Sequence, residues 1–311
     1  MNRGEKLGVL AAIIGNGIFG FSFMFSRIAL GVTSPFVMLM YRFILAFVLL
    51  NVVALWSAKL RKPVPERPDE VDWLRFDLRG RPVLPLILMG VVQPVGYFLC
   101  ESYGISLSNS TFAGVIIATG PLAGLVAGIF TLGEIPKKSQ VAFSLVSIIG
   151  VVMMTLQQRS EGEVKMLGVL LLAGAVCCGT SFSVISRKLS KEFSALERTY
   201  VMMGVAAVTF TCMSLVQCRN DMALLTAPLA ETKFITAILY LGFASSIVAF
   251  MALNVASGYL PVAKTMAFCN LTTVISLFAG VIFLHEPFNA ISLLASVLII
   301  LGIWGVQRVR N

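Results

Sequence analysis

Long runs of apolar residues follow one another along the chain, with short polar segments between them. Each run is close to the roughly 20 residues that a helix needs to cross about 30 Å of hydrocarbon. The apolar residues are continuous and do not alternate with polar ones, which favours helices over the strands of a membrane barrel. The pattern predicts an all-α integral membrane protein with ten transmembrane helices over residues 7–29, 36–57, 83–102, 109–130, 139–157, 165–187, 196–217, 233–255, 261–284 and 289–307.

One phrase of sequence occurs twice, about half the chain apart. Residues 122–134 are LAGLVAGIFTLGE, and residues 274–286 are VISLFAGVIFLHE. The same ungapped offset of 152 residues aligns Gly150 with Gly302 in the helix that follows each copy. One offset that holds through two consecutive helices indicates a duplication. We predict a first five-helix unit, a linker and a second five-helix unit over residues 7–157, 158–164 and 165–307.

The number of helices in each unit determines how the two units are related. Because five is an odd number, the two units must cross the membrane in opposite directions. The turns agree, because Lys137 and Lys138 follow the first copy of the phrase whereas no basic residue follows Glu286 directly. Inverted repeats are the architecture of many secondary transporters, in which both repeats enclose one site near the middle of the membrane.

Composition and charge place the chain in a bilayer. Hydrophobic residues make up 58% of the 311 residues and charged residues only 13%, with a mean hydropathy of +0.90. The net charge of +9 comes mainly from segments between alternate helices, and Lys and Arg accumulate on the cytoplasmic side of membrane proteins. We therefore predict a multi-pass plasma-membrane protein with both termini in the cytoplasm. The lipid bilayer is then its partner, and nucleic acid is not.

The sequence lacks the motifs of several enzyme and metal-binding classes. It has no GxxxxGK[ST] segment for ATP, no GxSxG nucleophile and no HExxH zinc motif. Its six cysteines are not spaced as zinc ligands, and its single histidine is His285. We expect no metal, no cofactor and no enzymatic activity.

Polar residues of five predicted helices lie at a similar depth. At ~1.5 Å per residue, Asn16, Gln93, Thr119 and Asn270 lie roughly 14–15 Å into their helices and Ser245 about 18 Å. Polar groups are costly in hydrocarbon, so these side chains should face the protein interior. They either line a solute cavity or bond to one another between helices. Interhelical bonding explains Thr119 and Ser245 well, whereas the three amides have more hydrogen-bonding capacity than packing requires, which favours a cavity.

The aromatic and charged candidates surround this level. Tyr97 is four residues after Gln93 and shares its helix face, either as a binding residue or as a core aromatic. Counting places Arg42 and Glu101 near the outer ends of the second and third helices. Glu101 either carries a coupling proton or pairs with Arg42 or Arg27, all three of which count to the outer side. Because no charge is predicted at the middle of the membrane, we expect a neutral, zwitterionic or weakly charged substrate.

Small residues at a spacing of four mark the fourth and ninth helices. Such spacing lets helix backbones approach closely in lipid. In the fourth helix these residues are Gly120, Gly124 and Gly128. The equivalent positions in the ninth helix are Thr272, Ser276 and Gly280. We assign both stripes to helix packing.

Three stretches carry a resemblance to a known family. They are Tyr41-Arg42-Phe43, Gly120-Pro121 followed by the first copy of the phrase, and Asn270-Leu271-Thr272-Thr273-Val274 followed by SLFAGVIFLHEP. On these residues the chain resembles EamA-type members of the drug/metabolite transporter superfamily, as two EamA-like units over nearly its whole length. The resemblance implies a secondary transporter of a small organic substrate, such as an amino acid-like metabolite or a drug. Alternating access and export are part of that implication.

Lys264 lies about one turn inside the ninth helix. Similar sequences often carry a basic residue there, which implies a contact to a substrate carboxylate or a place in an inner gate. Its shallow depth equally allows the side chain to snorkel to the cytoplasmic interface.

Two other functions compete with transport. One is a sensor or scaffold that moves no solute, and the other is a membrane-embedded enzyme.

Overall fold

The computed structural model describes residues 3–59, 73–107, 116–133, 135–157, 165–284 and 289–309. Within these ranges the chain is all-helical, as the apolar pattern predicts. Several predicted features lie outside the described residues, namely Glu134, His285, Glu286, the linker 158–164 and the first part of the predicted fourth helix, 109–115.

The helices follow the predicted apolar runs. They are α1 (Arg3–Leu30), α2 (Pro35–Lys59), α3 (Leu84–Ile105), α4 (Gly120–Leu132), α5 (Lys138–Gln157), α6 (Met166–Leu189), α7 (Ala195–Gln217), α8 (Thr232–Tyr259), α9 (Val262–Phe283) and α10 (Ala290–Arg308). In the described part of the chain, eight helices, α1–α3 and α6–α10, are long and apolar enough to cross a membrane. The apolar helix α4 and the apolar part of α5, Lys138–Met153, are shorter. A one-turn helix (Ala223–Thr226) and a 3-10 turn (Ala227–Ala230) connect α7 to α8.

Apolar side chains occupy both the interior and the outer surface of the bundle. The interior contains stacked and edge-on aromatic rings, such as Phe43 against Phe210 and Phe19 against Phe250. Large side chains such as Phe130, which is 84% exposed, lie on the outside. In water so much exposed apolar surface would be a liability, whereas lipid is an equally apolar solvent. The protein is therefore a multi-pass membrane protein.

The start of α1 and the end of α10 meet at one face of the bundle. Lys264, at the start of α9, forms an ion pair with Glu5 in α1, with 2.8 Å between Nζ and Oε1. Gln307 in α10 donates from Nε2 to the Lys264 carbonyl oxygen at 2.9 Å. We call this the terminal face, defined by Glu5, Lys264 and Gln307.

The helices α5 and α10 pack together in antiparallel directions. A Cβ atom added to Gly150 would lie 2.7 Å from the Ala295 carbonyl oxygen, and one added to Gly302 would lie 2.6 Å from the Ser147 nitrogen. Gly150, in the second half of α5, thus lies against Ala295, in the first half of α10. In turn Ser147 of α5 lies against Gly302, further along α10. Glycine permits this close approach because it has no side chain.

Two helices are irregular halfway along their length. The helix α3 is interrupted at Gln93, whose φ of −145° and ψ of 125° are extended, directly before Pro94. Proline removes a helical hydrogen bond and clashes with the preceding turn. The helix α8 contains a π-helical stretch, Tyr240–Ala249. The offset of 152 residues pairs Gln93 with Ser245 in that stretch, so both predicted units have an irregular segment at the same place, a feature often found at functional sites.

The helix α9 is also interrupted, at Phe268, between Val262–Ala267 and Cys269–Leu284. The helix α4 begins with Gly120 and Pro121 after a turn at residues 118–119, and proline suits the first turn of a helix. The position equivalent to Pro121 is Thr273, five residues beyond the interruption of α9. The interruption of α9 therefore does not need a proline.

Candidate functional site

An arginine of α2 is buried inside the helix bundle. Only 3% of the Arg42 surface is exposed. Its Nε donates to Ser246 Oγ and its Nη2 to Ser245 Oγ, both at 2.8 Å. Its Cζ lies 5.3 Å and 5.1 Å from the ring centroids of Phe43 and Phe98. Aromatic faces attract cations, so a positive charge is held here by uncharged neighbours.

The position of Arg42 corrects one prediction. Counting residues along α2 and α8 puts Arg42 near a helix end and Ser245 deeper, with no charge at that depth. The hydrogen bond between the two side chains shows that the guanidinium reaches Ser245, so the absence of charge there is wrong. A long basic side chain carries its charge well away from its own backbone position, and counting backbone positions misses this displacement.

A carboxylate of α3 belongs to the same group of side chains. Tyr97 donates from its hydroxyl group to Glu101 Oε1 at 2.9 Å, and its ring meets the edge of Phe98 at 5.5 Å. The Glu101 carboxylate and the Arg42 guanidinium interact electrostatically. We call this group of residues the Arg42 cluster, and its members are Arg42, Tyr97, Glu101, Ser245 and Ser246.

Gln93 has an unsatisfied polar atom at the interruption of α3. Its Oε1 is buried and has no hydrogen-bond partner among the described residues. A Cβ atom added to Gly179 in α6 would lie 3.8 Å from this oxygen and 3.8 Å from Tyr97 Cδ2. Gly179 therefore leaves space beside both side chains. An unmade hydrogen bond in the interior costs about 1–3 kcal/mol, so this oxygen is ready to accept one from a ligand.

The other predicted amides are bonded between helices. Asn16 donates from Nδ2 to the Ala12 carbonyl oxygen, and its Oδ1 accepts from Thr272 at 3.3 Å. Asn270 donates from Nδ2 to Ser147 Oγ at 2.9 Å. Both are buried, and both connect helices by bonds that need no ligand. This arrangement corresponds to the packing alternative rather than to the cavity predicted for these two amides.

Thr119 stands apart from the other candidates. It is exposed, and its hydroxyl group donates to the Ile116 carbonyl oxygen at 2.6 Å, one turn earlier in the chain. The structure thus brings Gln93, Tyr97 and Glu101 together on α3 and joins Ser245 to Arg42, and Thr119 is not part of this arrangement.

Lys264 is buried, with 4% of its surface exposed, and its ammonium group pairs with Glu5. The snorkelling alternative required that this charge reach water, and in this conformation it contacts a carboxylate of α1 instead. Gly8 in α1 lies close by, where an added Cβ atom would be 2.8 Å from Tyr259 Cβ and 2.9 Å from Leu260 Cγ. The terminal face therefore combines an ion pair with close packing of Gly8 against the side chains of Tyr259 and Leu260.

The small residues of α4 contact the first part of α9. A Cβ atom added to Gly124 would lie 2.7 Å from Met266 Cγ, and one added to Gly120 would lie 3.2 Å from Met266 Cε. Gly128 is buried on the same face of α4. Ser276 is partly buried in α9, the helix that also contains Gly280.

A second buried arginine was overlooked in the sequence, where it contributes only to the cytoplasmic charge. Arg198 in α7 donates from Nη1 to Ser186 Oγ at 2.7 Å and from Nη2 to the Asn254 carbonyl oxygen at 2.8 Å. Asn254 Nδ2 in turn donates to Thr199 Oγ1 at 3.0 Å. The sequence signal was the capping box that begins α7, Ser194-Ala-Leu-Glu197, which fixes the first turn that carries Arg198.

The side chains that bind metal ions in proteins are scattered through the part of the chain that the structure describes. There, no group of three or more His, Cys, Asp or Glu side chains is placed to hold a metal ion. The cysteines are free thiols, of which Cys218 is buried and Cys177 and Cys212 are exposed.

Comparison with known proteins gives relatives along nearly the whole chain. The uncharacterized transporter YcxC of Bacillus subtilis (strain 168) is 28% identical over 299 residues, which cover 95% of this chain and 91% of that protein. The uncharacterized transporter YyaM of the same organism is 22% identical over 305 residues, with coverages of 96% and 93%. One crystal structure has a TM-score of 0.75 at 17% identity, covers 96% of this chain and 95% of its own, and shows the same fold.

The family model places both halves of the chain in one family. The model of the EamA-like transporter family matches residues 6–156 and again residues 166–308. A double match of this extent covers almost every described helix, including the whole Arg42 cluster. The chain belongs to the EamA-like transporter family.

Proposed function

We propose that the protein is a secondary transporter that works by alternating access in the plasma membrane. Its substrate is a small neutral or zwitterionic organic solute, an amino acid-like metabolite or a drug, and its direction is export. The observation that carries the proposal is the match of one transporter family to each half of the chain. Transport of this kind needs no catalytic residue, metal or cofactor, because solute or ion gradients drive it.

The proposed architecture is ten transmembrane helices in two inverted repeats. Its support is a reciprocal contact, because Gly150 approaches Ile299 as Gly302 approaches Ser147, and the offset of 152 residues converts one pair into the other. Reciprocal contacts are what a two-fold axis generates. The two helices are antiparallel, which requires an axis perpendicular to them and hence in the membrane plane, as in many secondary transporters.

The proposed orientation puts the terminal face in the cytoplasm. Basic residues flank this face at both ends of the chain, with Arg3 and Lys6 at the start of α1 and Arg308 at the end of α10. Lys and Arg near helix ends favour the cytoplasmic side. The Glu5–Lys264 ion pair then forms an inner gate, which is closed in this conformation.

The proposed substrate site centres on the interruption of α3. Gln93 contributes an unsatisfied oxygen and Tyr97 an aromatic face, and Gly179 of the opposite half leaves space beside them. Ser245 is the equivalent of Gln93 in the second half and holds Arg42. Asn16 and Asn270 support the surrounding helices.

Flux through the purified protein tests this function. Liposomes containing the protein would be loaded with a mixture of amino acids, organic cations, phosphate esters and sugars, and the retained solutes measured by mass spectrometry over time. We expect one solute class to leave faster than from protein-free liposomes. Gln93→Ala should slow that loss, and Gln217→Ala, which removes an exposed amide at the end of α7, should not.

Two results would contradict transport. Retention of every solute at the protein-free rate, by a protein that still melts cooperatively, would favour a sensor or scaffold. Conversion of a solute into a new chemical species inside the liposomes would favour a membrane-embedded enzyme.

A further inference from the structure

We propose that Arg42 is an anion subsite that Glu101 and the carboxylate of a transported solute occupy in turn, so that one proton accompanies each carboxylate bound. The inference rests on the proposed function and deepens it, because it names a substrate group and a coupling ion. It assigns the Arg42 cluster a role beyond holding helices together.

The hydrogen bonds of Arg42 leave part of its guanidinium free for an anion. Nε and Nη2 donate to two serine hydroxyl groups, and Nη1 donates to no group among the described residues. A guanidinium has five N–H donors in a planar fork that matches a carboxylate. Serine hydroxyl groups are neutral, so they position the fork without neutralising it. The two serines therefore fix the orientation of the guanidinium, and its positive charge has no bonded counter-ion in these two hydrogen bonds.

Glu101 of α3 provides a counter-charge through its electrostatic interaction with Arg42. It follows Phe98, over which Arg42 lies, by three residues, so the two side chains share one helix face. It accepts the hydrogen bond of Tyr97 and interacts electrostatically with Arg42. Tyr97 thus holds in place a carboxylate whose charge acts on the cation.

The charges make proton uptake and carboxylate binding mutually dependent. With Glu101 ionised, the pair is neutral, and an additional carboxylate near it would leave a net negative charge in the membrane. With a proton on a Glu101 oxygen, the solute carboxylate replaces Glu101 as the counter-charge of Arg42, and the net charge stays at zero. Each ligand then favours the other by the same factor, because such coupling is reciprocal.

Few other titratable groups face Glu101 from the surrounding helices. On its own helix, Glu101 accepts a hydrogen bond from Tyr97, and Cys100 directly precedes Glu101 in the sequence. Arg42 faces it from α2, Cys178 of α6 interacts with Cys100, and Cys269 of α9 interacts with Tyr97. The thiols and the phenol are neutral over the working range of a carboxyl group. Glu101 is therefore the group of this cluster that exchanges a proton with the solute.

Binding of matched carboxylates and amides tests the inference. The probes are lactate, L-leucine and benzoate, each beside its amide, and the measurements are thermal stabilisation in detergent and calorimetry in two buffers of different ionisation enthalpy. We expect at least one carboxylate to bind wild type more tightly than its amide, with uptake of about one proton. Its affinity should fall by up to about tenfold per pH unit as Glu101 ionises.

The variants separate a coupled site from a structural one. Glu101→Gln has the shape of the protonated acid, so it should bind the carboxylate without proton uptake and with the same affinity at each pH. Arg42→Gln should bind the carboxylate no better than the amide. If Arg42→Gln fails to fold, the proton count of Glu101→Gln against wild type still decides the matter.

The possible failures are distinguishable. If every carboxylate binds like its amide, or if Glu101→Gln takes up a proton as wild type does, this inference is overturned. Solute efflux from the loaded liposomes would then still support transport of another solute class. If no solute leaves the liposomes, the proposed function fails, and carboxylate binding with proton uptake would describe a sensor instead.

Discussion

At the scale of single residues, the polar side chains inside the bundle divide into two groups. Asn16 and Asn270 use their amides to connect helices. Gln93 has a buried oxygen with no partner among the described residues, and Arg42 and Lys264 carry buried charges. Interhelical bonds are satisfied without a ligand, whereas unsatisfied atoms and charges gain from one. The second group is thus where substrate or coupling ions should act.

A double-mutant cycle tests the first group. We expect Asn270→Ala and Ser147→Ala each to lower the free energy of unfolding by about 1 kcal/mol, because each leaves the other partner buried without its bond. Their effects should overlap by about 0.6 kcal/mol, the average for polar contacts between membrane helices. Thermal unfolding in detergent gives all three values. Fully additive effects would show that the two side chains act independently.

Counting residues from the start of each predicted helix identified buried polar residues but not their hydrogen-bond partners. It placed Asn16, Gln93 and Asn270 in the interior because a backbone rise per residue is regular. It could not tell a bonded amide from a free one, because the partners Thr272 and Ser147 belong to distant parts of the sequence. Partners depend on how the helices rotate and pack, which a single apolar run does not encode.

At the scale of helices, close glycine contacts determine how neighbours pack. A Cβ atom added to Gly20 would lie 2.6 Å from Ile275 Cβ, whereas one added to Gly17 would meet only Ile275 Cδ1 at 3.6 Å. The two glycines are one turn apart in α1 and face the same residue of α9. They form a matched pair in which one position is crowded and the other is not.

Alanine substitutions should separate these two positions. Gly20→Ala should lower the free energy of unfolding by about 1–3 kcal/mol, because the methyl group forces α1 away from α9. Gly17→Ala should be neutral or stabilising by up to about 1 kcal/mol, since alanine favours a helix and fits the space. Melting temperatures of the two variants in one detergent provide the comparison. Equal destabilisation by both would mean that the approach of α1 to α9 is looser than described.

The sequence predicted the helices well and their interruptions poorly. Continuous apolar runs locate membrane helices because hydrocarbon requires about 20 such residues in a row. The interruption at Gln93 had a signal in Pro94, since proline breaks the helical hydrogen-bond pattern. The π-helical stretch of α8 and the interruption of α9 contain no proline, so the signal that marks Gln93 does not locate them.

At the scale of the whole molecule, the start of α1 and the end of α10 meet at one face, which an ion pair closes. Glu5, Lys264 and Gln307 join α1, α9 and α10 there. The proposed alternating access requires that such a closure be reversible. An ion pair suits this purpose, because its partners regain water when they separate, whereas an apolar seal would expose hydrophobic surface.

Labelling of single cysteines tests the orientation of this face. In a chain whose six cysteines are replaced, Lys6→Cys marks the terminal face, and Met222→Cys marks the exposed turn beyond the far end of α7. A membrane-impermeant thiol reagent applied to intact cells should label Met222→Cys and reach Lys6→Cys only after permeabilisation. The opposite pattern would place the terminal face outside and reverse the proposed topology.

The Glu5–Lys264 ion pair should hold the terminal face closed, and Glu5→Gln should loosen it. Loss of the carboxylate leaves the Lys264 ammonium buried without its charged partner, which favours states in which Lys264 meets water. Ala263→Cys, a buried position beside Lys264, reports this opening through its rate of labelling in inverted vesicles. We expect Glu5→Gln to raise that rate by about tenfold, the size of a coupling between 1 and 2 kcal/mol.

Two controls decide whether this effect belongs to a gate. Lys6→Gln removes a neighbouring exposed charge and should leave the labelling rate unchanged. Reversal of the pair, Glu5→Lys with Lys264→Glu, should restore slow labelling because the attraction is restored with opposite signs. If Glu5→Gln lowers the melting temperature but labels at the wild-type rate, the ion pair supports the fold without controlling access. Closure of the terminal face would then depend on the packing of Gly8 against the side chains of Tyr259 and Leu260.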